Sequence, residues 1–227
     1  MKIGGLQYCS LIDYPGKISA IVFTIGCNFR CPYCHNPELV DETADEIHES
    51  KIFDFLTRRR NLLDAVTITG GEPTLHEDLI DFIRKIKGMG FLVKLDTNGT
   101  NPDALGQILD EKLIDYVAMD IKAPLRSYEK TVGRPLNQKS LEESIKLLKH
   151  GTIPYEFRTT VVKSLLSFDD LREIGKDIRG AKLYNLQKFV PTKTLNPAFV
   201  RKTTYSDAEF MEMREMMCEF VEECSIR

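Results

Sequence analysis

The chain has 227 residues, 42% hydrophobic and 29% charged, the make-up of an ordinary globular protein. One domain of that length buries roughly 70–75% of the surface its unfolded chain exposes, so residues 1–227 are read as a single domain with a full core. A net charge of −3 gives no reason to expect nucleic acid, and no apolar run approaches the ~18 residues of a membrane span, so neither is an expected partner.

No signal peptide is visible at Met1-Lys2-Ile3-Gly4-Gly5, and the expected location is cytoplasmic. Thiols stay reduced there, and cysteines mark metals or catalysis more often than structural disulfides.

Residues 1–17 read as a short N-terminal strand and turn. Asp13-Tyr14-Pro15-Gly16-Lys17 is turn chemistry, since proline presets φ and glycine accepts φ > 0. Residues 18–189 then alternate strand and helix patterns. The first strand, near residues 20–24, feeds Cys27-Asn28-Phe29-Arg30-Cys31-Pro32-Tyr33-Cys34-His35. A helix pattern follows over 44–59, and Arg58-Arg59-Arg60 reads as its solvated end.

The second strand, 65–69, ends in Gly70-Gly71-Glu72-Pro73. A helix over 77–87 stops at Gly88-Met89-Gly90, as glycine caps predict. The third strand, 92–95, closes with Asp96-Thr97-Asn98-Gly99, and Pro102 opens a helix to about 111. A fourth strand, 116–119, runs into Asp120-Ile121-Lys122, followed by a polar loop over 123–138 and a helix over 141–149. The fifth strand covers 156–162, with Arg158 inside it, and is followed by a helix over 169–178. A sixth strand covers 182–189. Residues 190–227 read as an irregular, proline-bearing stretch to 204 and an amphipathic helix from 206 to about 222.

Strands alternating with helices call for a parallel sheet, either open and doubly wound or an incomplete β/α barrel. In both, the loops at the C-terminal ends of the strands make the active site. The residues least suited to packing lie at those ends: the cysteines, Gly-Gly-Glu, Asp-Thr-Asn, and Asp120 with Lys122.

Four readings compete for the cysteine stretch. Cys31-Pro32-Tyr33-Cys34 is the pair seen in glutaredoxins, where the spacing lowers a thiol pKa. Cys31-x-x-Cys34-His35 also fits c-type haem attachment, and adding His35 to the cysteines gives a Cys3His zinc set. Cys27-x3-Cys31-x2-Cys34 gives three ligands of a four-iron cluster, with a fourth position open. The polar rims on later strands count against a glutaredoxin, which needs about half this length and has no use for Cys27. Adjacent Cys34 and His35 rarely close on one ion, and haem attachment ordinarily requires export. Cys9, Cys218 and Cys224 are scattered, Cys218 and Cys224 read as packing or incidental residues, and no role is given to His35, His48, His76 or His150.

The C-x3-C-x2-C motif after the first strand and Gly-Gly-Glu after the second resemble the radical S-adenosylmethionine (SAM) superfamily. The stretches 10–17 and 26–36, Asp96-Thr97-Asn98 and Asp120-x-Lys122 are similar to the activating enzymes of glycyl radical enzymes, among them those of anaerobic ribonucleoside-triphosphate reductase. The resemblance covers about 6–187. It implies an incomplete (β/α)6 barrel of parallel strands with the N-terminal extension.

It further implies a [4Fe–4S] cluster on Cys27, Cys31 and Cys34, whose fourth iron takes the amino and carboxylate groups of SAM. One electron would cleave the sulfonium C–S bond, and the 5′-deoxyadenosyl radical would take hydrogen from a glycine Cα of the partner. Gly70, Gly71 and Glu72 would face the ligand ammonium, and Tyr33 and Asn36 the adenine. Asp96, Thr97 and Asp120 would hold a monovalent cation beside the ligand carboxylate, and Lys122 and Arg158 would contact the carboxylate or ribose, or orient the peptide. Beside this, Asp120 with Lys122 also reads as a surface ion pair, and Arg158, mid-strand, as a structural salt bridge. A histidine that some activases carry after the sixth strand is absent, leaving Gln187 as the weak candidate there. Implied partners are the glycyl radical enzyme and a flavodoxin- or ferredoxin-like electron donor. Two other readings stay open: a radical SAM enzyme of a small molecule, such as 7-carboxy-7-deazaguanine synthase, and a C-x-x-C thiol–disulfide or electron-transfer protein.

Overall fold

In the computed structural model, which describes Met1–Arg227, β1 (Ile3–Ser10) runs antiparallel to β2 (Ser19–Thr24). From β2 onward every neighbour is parallel: β3 (Ala65–Gly70), β4 (Leu92–Thr97), β5 (Tyr116–Asp120), β6 (Tyr155–Val161), β7 (Leu183–Lys188) and β8 (Glu223–Ile226). The eight strands lie in sequence order, and no ladder joins β8 back to β1, so the barrel is incomplete.

Strand side chains alternate between two faces. Val66, Ile68, Val93, Leu95, Val117, Met119, Phe157 and Leu186 share one buried cluster with residues of the surrounding helices, such as Phe82, Ile86, Leu105, Ile145 and Ile174. The alternate set points to the barrel interior and is unusually polar, with Thr67, Lys94, Asp96, Glu156 and Asn185 all buried. Continuous burial on both faces is what an almost wholly parallel sheet requires.

The helices are α1 (Pro37–Val40), α2 (Glu49–Arg59), α3 (Leu79–Gly88), α4 (Pro102–Asp110), α5 (Tyr128–Val132), α6 (Gln138–His150), α7 (Phe168–Asp177) and α8 (Asp207–Met217). Ser167 and Ser206 each form a reciprocal capping box, with Asp170 and Glu209 respectively. The expected helix over 44–59 begins only at Glu49, because 44–47 lies along β1 and Ile47 N–H donates to Ile3 O at 2.7 Å. Single helical turns also appear at α1 and α5, within stretches read as loop, and Gly133 closes α5 at φ 66°.

The C-terminal stretch differs most from the sequence reading. The last helix stops at Met217, and 223–226 forms a seventh parallel strand. Glu-Cys-Ser-Ile has little intrinsic strand preference, so its pairing partner, β7, decides its conformation.

The two ends of the barrel have different characters. At the N-terminal end, the turn after β1 inserts Tyr14 against Ala65, Leu92 and Tyr116, with the two tyrosine rings 5.7 Å apart. This aromatic stopper closes the bottom of the barrel. The C-terminal ends of β2–β6 converge on an open cleft.

Candidate active site

The cysteine loop leaves β2 and is pinned by backbone bonds from several directions. Gly26 N–H donates to Leu39 O, and Arg30 N–H to Val132 O of α5, both at 2.8 Å. On the far side, Leu195 N–H donates to Cys34 O and Asn196 N–H to Pro32 O, each at 2.9 Å. His35 Nε2 meets Val190 O at 2.8 Å, its ring is stacked on Phe189, and Lys193 pairs with Glu38 at 2.6 Å. The irregular segment 190–196 is therefore a strap across the loop.

Cys27, Cys31 and Cys34 all line the cleft, a cavity of about 200 Å³ that opens to solvent. Burial pushes the Cys27 thiol up to about 12 and the Cys31 thiol up to about 11, and it raises Cys34 as well. The Phe29 amide, 3.4 Å from Cys27 Sγ, and the Lys122 charge offset this only in part. A disulfide-exchange site needs the opposite shift. These thiols ionise readily only beside added positive charge, which iron supplies. No three His, Cys, Asp or Glu side chains close on a single ion position, the arrangement that a mononuclear zinc site needs. A four-iron cluster does not need it, because each thiolate binds a different iron. The donor set fits the cluster.

Gly70 and Gly71 meet the start of this loop at close range. Gly70 has φ 119°, and a Cβ on Gly71 would lie 1.9 Å from Gly26 O. Their corner is tied by Gly71 N–H to Thr24 O at 2.9 Å and by Glu72 N–H to Gly26 O at 2.8 Å. These two amides hold the cysteine loop, so they are not free for a ligand. Glu72 is 1% exposed, and its carboxylate accepts from Thr74 N–H and Oγ1, Thr97 Oγ1 and Asn98 N–H. Burial raises its pKa, and those donors oppose the rise. Glu72 lines the cleft, and its oxygens join the turns after β3 and β4.

Asp96 and Asp120, on neighbouring strands, are brought together by Arg158. Its NH1 lies 3.2 Å from Asp96 Oδ2 and its Nε 2.9 Å from Asp120 Oδ1. Lys122 Nζ takes Asp120 Oδ2 at 2.9 Å, and Lys94 Nζ bonds Asp96 Oδ1. Burial alone would raise Asp120, but Arg158 and Lys122 reverse it and hold the carboxyl well below its ordinary range. Burial likewise disfavours the Lys122 charge, which Asp120 more than restores.

Two expectations need correction here. Arg158 does not line the cleft; it stands behind the wall and braces both aspartates. The monovalent cation fits poorly, because every oxygen of both carboxylates already has a cationic donor and an added cation would stand among three positive charges. Thr97 Oγ1 is also committed, to Glu72 and to Gly99 N–H.

Every other candidate lines the cleft: Tyr33, Asn36, Gly70, Gly71, Glu72, Asp96, Thr97, Asp120 and Lys122, with the three cysteines. The Tyr33 hydroxyl is buried without a partner, and the Asn36 side chain makes no capping bond. Phe29 and Val40 add apolar surface to the same lining. Gln187 stays off the cleft and accepts from Thr160 Oγ1 at 3.3 Å. Thr160 itself lines the cleft and was missed, as was Asn98, which donates to Asn28 Oδ1 at 2.8 Å. The alternation along β6 could have found Thr160, two residues after Arg158. Nothing local marks Asn98 beyond its turn chemistry.

A profile of the Radical SAM superfamily matches residues 21–178. A Methanocaldococcus jannaschii protein, provisionally described as a glycyl-radical enzyme activating enzyme, is 36% identical over 99% of this chain and 95% of its own length. The pyruvate formate-lyase-activating enzyme of Clostridium pasteurianum is 28% identical, covering 86% of this chain and 83% of its own. Among solved structures, Streptococcus suis SuiB bound to S-adenosylmethionine superposes with a TM-score of 0.68 at 12% identity, over 91% of this chain and 49% of that one. At that identity the likeness extends to the fold alone.

Proposed function

Because the chain belongs to the Radical SAM superfamily, we propose that it is the activase of a glycyl radical enzyme, and that this partner is an anaerobic ribonucleoside-triphosphate reductase. The activase reading is supported by its relatives, and the reductase partner by the resemblance carried by 10–17 and 26–36. The observation that carries the site assignment is that three cysteines from one loop and polar residues from four strand ends face one cleft.

In this reading Cys27, Cys31 and Cys34 hold three irons of a [4Fe–4S] cluster. Bound there, the cluster supplies the single electron for reductive cleavage of SAM. The chain's own residues do the rest. The hydrogen bond from Phe29 N–H to Cys27 Sγ bears on the potential of the cluster. Lys122, on the positive side of the cleft, orients the ligand carboxylate. Tyr33 and Asn36 face the adenine, and Glu72 fixes the two turns that shape the ligand's near wall. No step passes through a monovalent cation. The unpaired edges of β1 and β8 leave a side of the barrel open to an extended loop of the partner.

The electron comes from a flavodoxin- or ferredoxin-like donor in the cytoplasm. No helix is long and apolar enough to cross a membrane.

The test is anaerobic. After reconstitution with iron and sulfide, wild type given dithionite and SAM is expected to form 5′-deoxyadenosine, and Cys27→Ala to form at least 100-fold less. With the reductase added, wild type should give the electron paramagnetic resonance doublet of a glycyl radical. 5′-Deoxyadenosine without that doublet would reject the partner and leave a small-molecule substrate. Equal product from Cys27→Ala would reject the cluster assignment.

A further inference from the structure

We propose that the Lys94 ammonium, bonded to Asp96 from behind the cleft wall, supplies the positive charge that a monovalent cation would bring there, so that this chain organises its ligand-carboxylate site without binding sodium or potassium. The inference rests on the SAM reading of the cleft given above. Lys94 is 1% exposed in the middle of β4, an uncommon place for a lysine unless it is paired. Val93 and Leu95 face the helices, which turns Lys94 and Asp96 together into the barrel.

The pairing is complete. Asp96 Oδ1 takes Lys94 Nζ, and Asp96 Oδ2 takes Arg158 NH1. Asp120 Oδ1 takes Arg158 Nε, and Asp120 Oδ2 takes Lys122 Nζ. A hard cation binds through several oxygens converging on one point. Here each oxygen already accepts from a side-chain cation, so an added metal ion would have to share those oxygens and stand beside buried positive charges, which is unfavourable.

Three cationic side chains meet the two carboxylates, and Glu156, 4.0 Å from Arg158, has Arg227 as its own partner at 2.9 Å. A further metal ion would stand among these positive charges, whereas a ligand carboxylate is drawn to them. Lys94 does not line the cleft. It is a positioning residue that acts through Asp96.

The experiment measures SAM affinity of the cluster-loaded protein in choline, sodium and potassium chloride at equal ionic strength, and the thermal midpoint of the metal-free chain in the same salts. Wild type is expected to show one Kd within twofold and one midpoint in all three. Lys94→Met is expected to bind SAM at least tenfold more weakly in choline and to recover in sodium or potassium, and Lys94→Arg to behave as wild type. A wild-type Kd that rises tenfold in choline would overturn the inference with no variant needed. So would a Lys94→Met protein equally weak in all three salts. Wild type that holds its cluster and binds no SAM in any salt would reject the SAM reading. The midpoints then decide the inference: a Lys94→Met chain stabilised by potassium over choline supports it, and one indifferent to the cation overturns it.

Discussion

Substituting alanine for Gly71 is expected to lower the thermal midpoint by roughly 6–12 °C, corresponding to about 3 kcal/mol in a chain of this size. The added Cβ would lie 1.9 Å from Gly26 O and 2.6 Å from Gly26 C, closer than real contacts allow. No flexible side chain can swing aside, because the obstruction is backbone. The turns must part, which breaks the bonds from Gly71 N–H to Thr24 O and from Glu72 N–H to Gly26 O. Each such bond contributes about 1 kcal/mol, and the residual overlap adds about as much again. Gly88→Ala is the control. Its Cβ would meet nothing within 4 Å at the last residue of α3, so that variant should match wild type or gain slightly. Melting followed by circular dichroism separates the two, and a Gly71→Ala midpoint within 2 °C of wild type would refute the steric account.

Arg158→Leu should be comparably damaging, costing about 3 kcal/mol, because it leaves the buried Asp96 and the half-buried Asp120 with one oxygen each unpaired, Lys94 and Lys122 being their remaining partners. The pH dependence distinguishes charge from packing. In wild type the Asp120 carboxyl titrates below its unfolded value, since Arg158 and Lys122 outweigh burial. Its contribution to stability is therefore present above the unfolded pKa of about 3.9 and is lost as pH falls through the lower, folded one. Without Arg158, burial is opposed by Lys122 alone, the folded pKa moves up, and the loss begins at higher pH. The acid-unfolding midpoint should rise by about one pH unit. Arg158→Lys, with one charge and no fork to span both aspartates, should fall between. An Arg158→Leu protein with an unchanged acid midpoint would show that the guanidinium is a packing element only.

The barrel was legible because its signals are short-range and repeated. Glycine stops after helices, Pro102 at a helix start and apolar runs of strand length each point to the element that forms. The rim was legible for another reason: Asp120, Lys122 and the cysteines have no place in a packed core, and strand periodicity set them all at one end. What escaped depended on distant partners. The strand at 223–226 exists because β7 offers an open edge, and the strap exists because Leu195 and Asn196 find carbonyls in a loop some 160 residues earlier. Arg158 was left between a ligand role and a structural salt bridge, because its place mid-strand does not say which carboxylates wait there. Glu72 likewise found donors in a turn contributed by another strand.

The strap across the cysteine loop has a consequence for assembly. The loop's curvature is set by Leu39, Val132, Leu195 and Asn196, none of which is a cysteine. It is a mould that stands before the casting is poured. Small zinc domains reverse that order, since their chains collapse only when metal arrives. Here the polypeptide bears the ordering entropy when it folds. On the proposed cluster reading, the metal-free chain is expected to keep its fold, and a far-ultraviolet circular dichroism spectrum unchanged by chelation would check it.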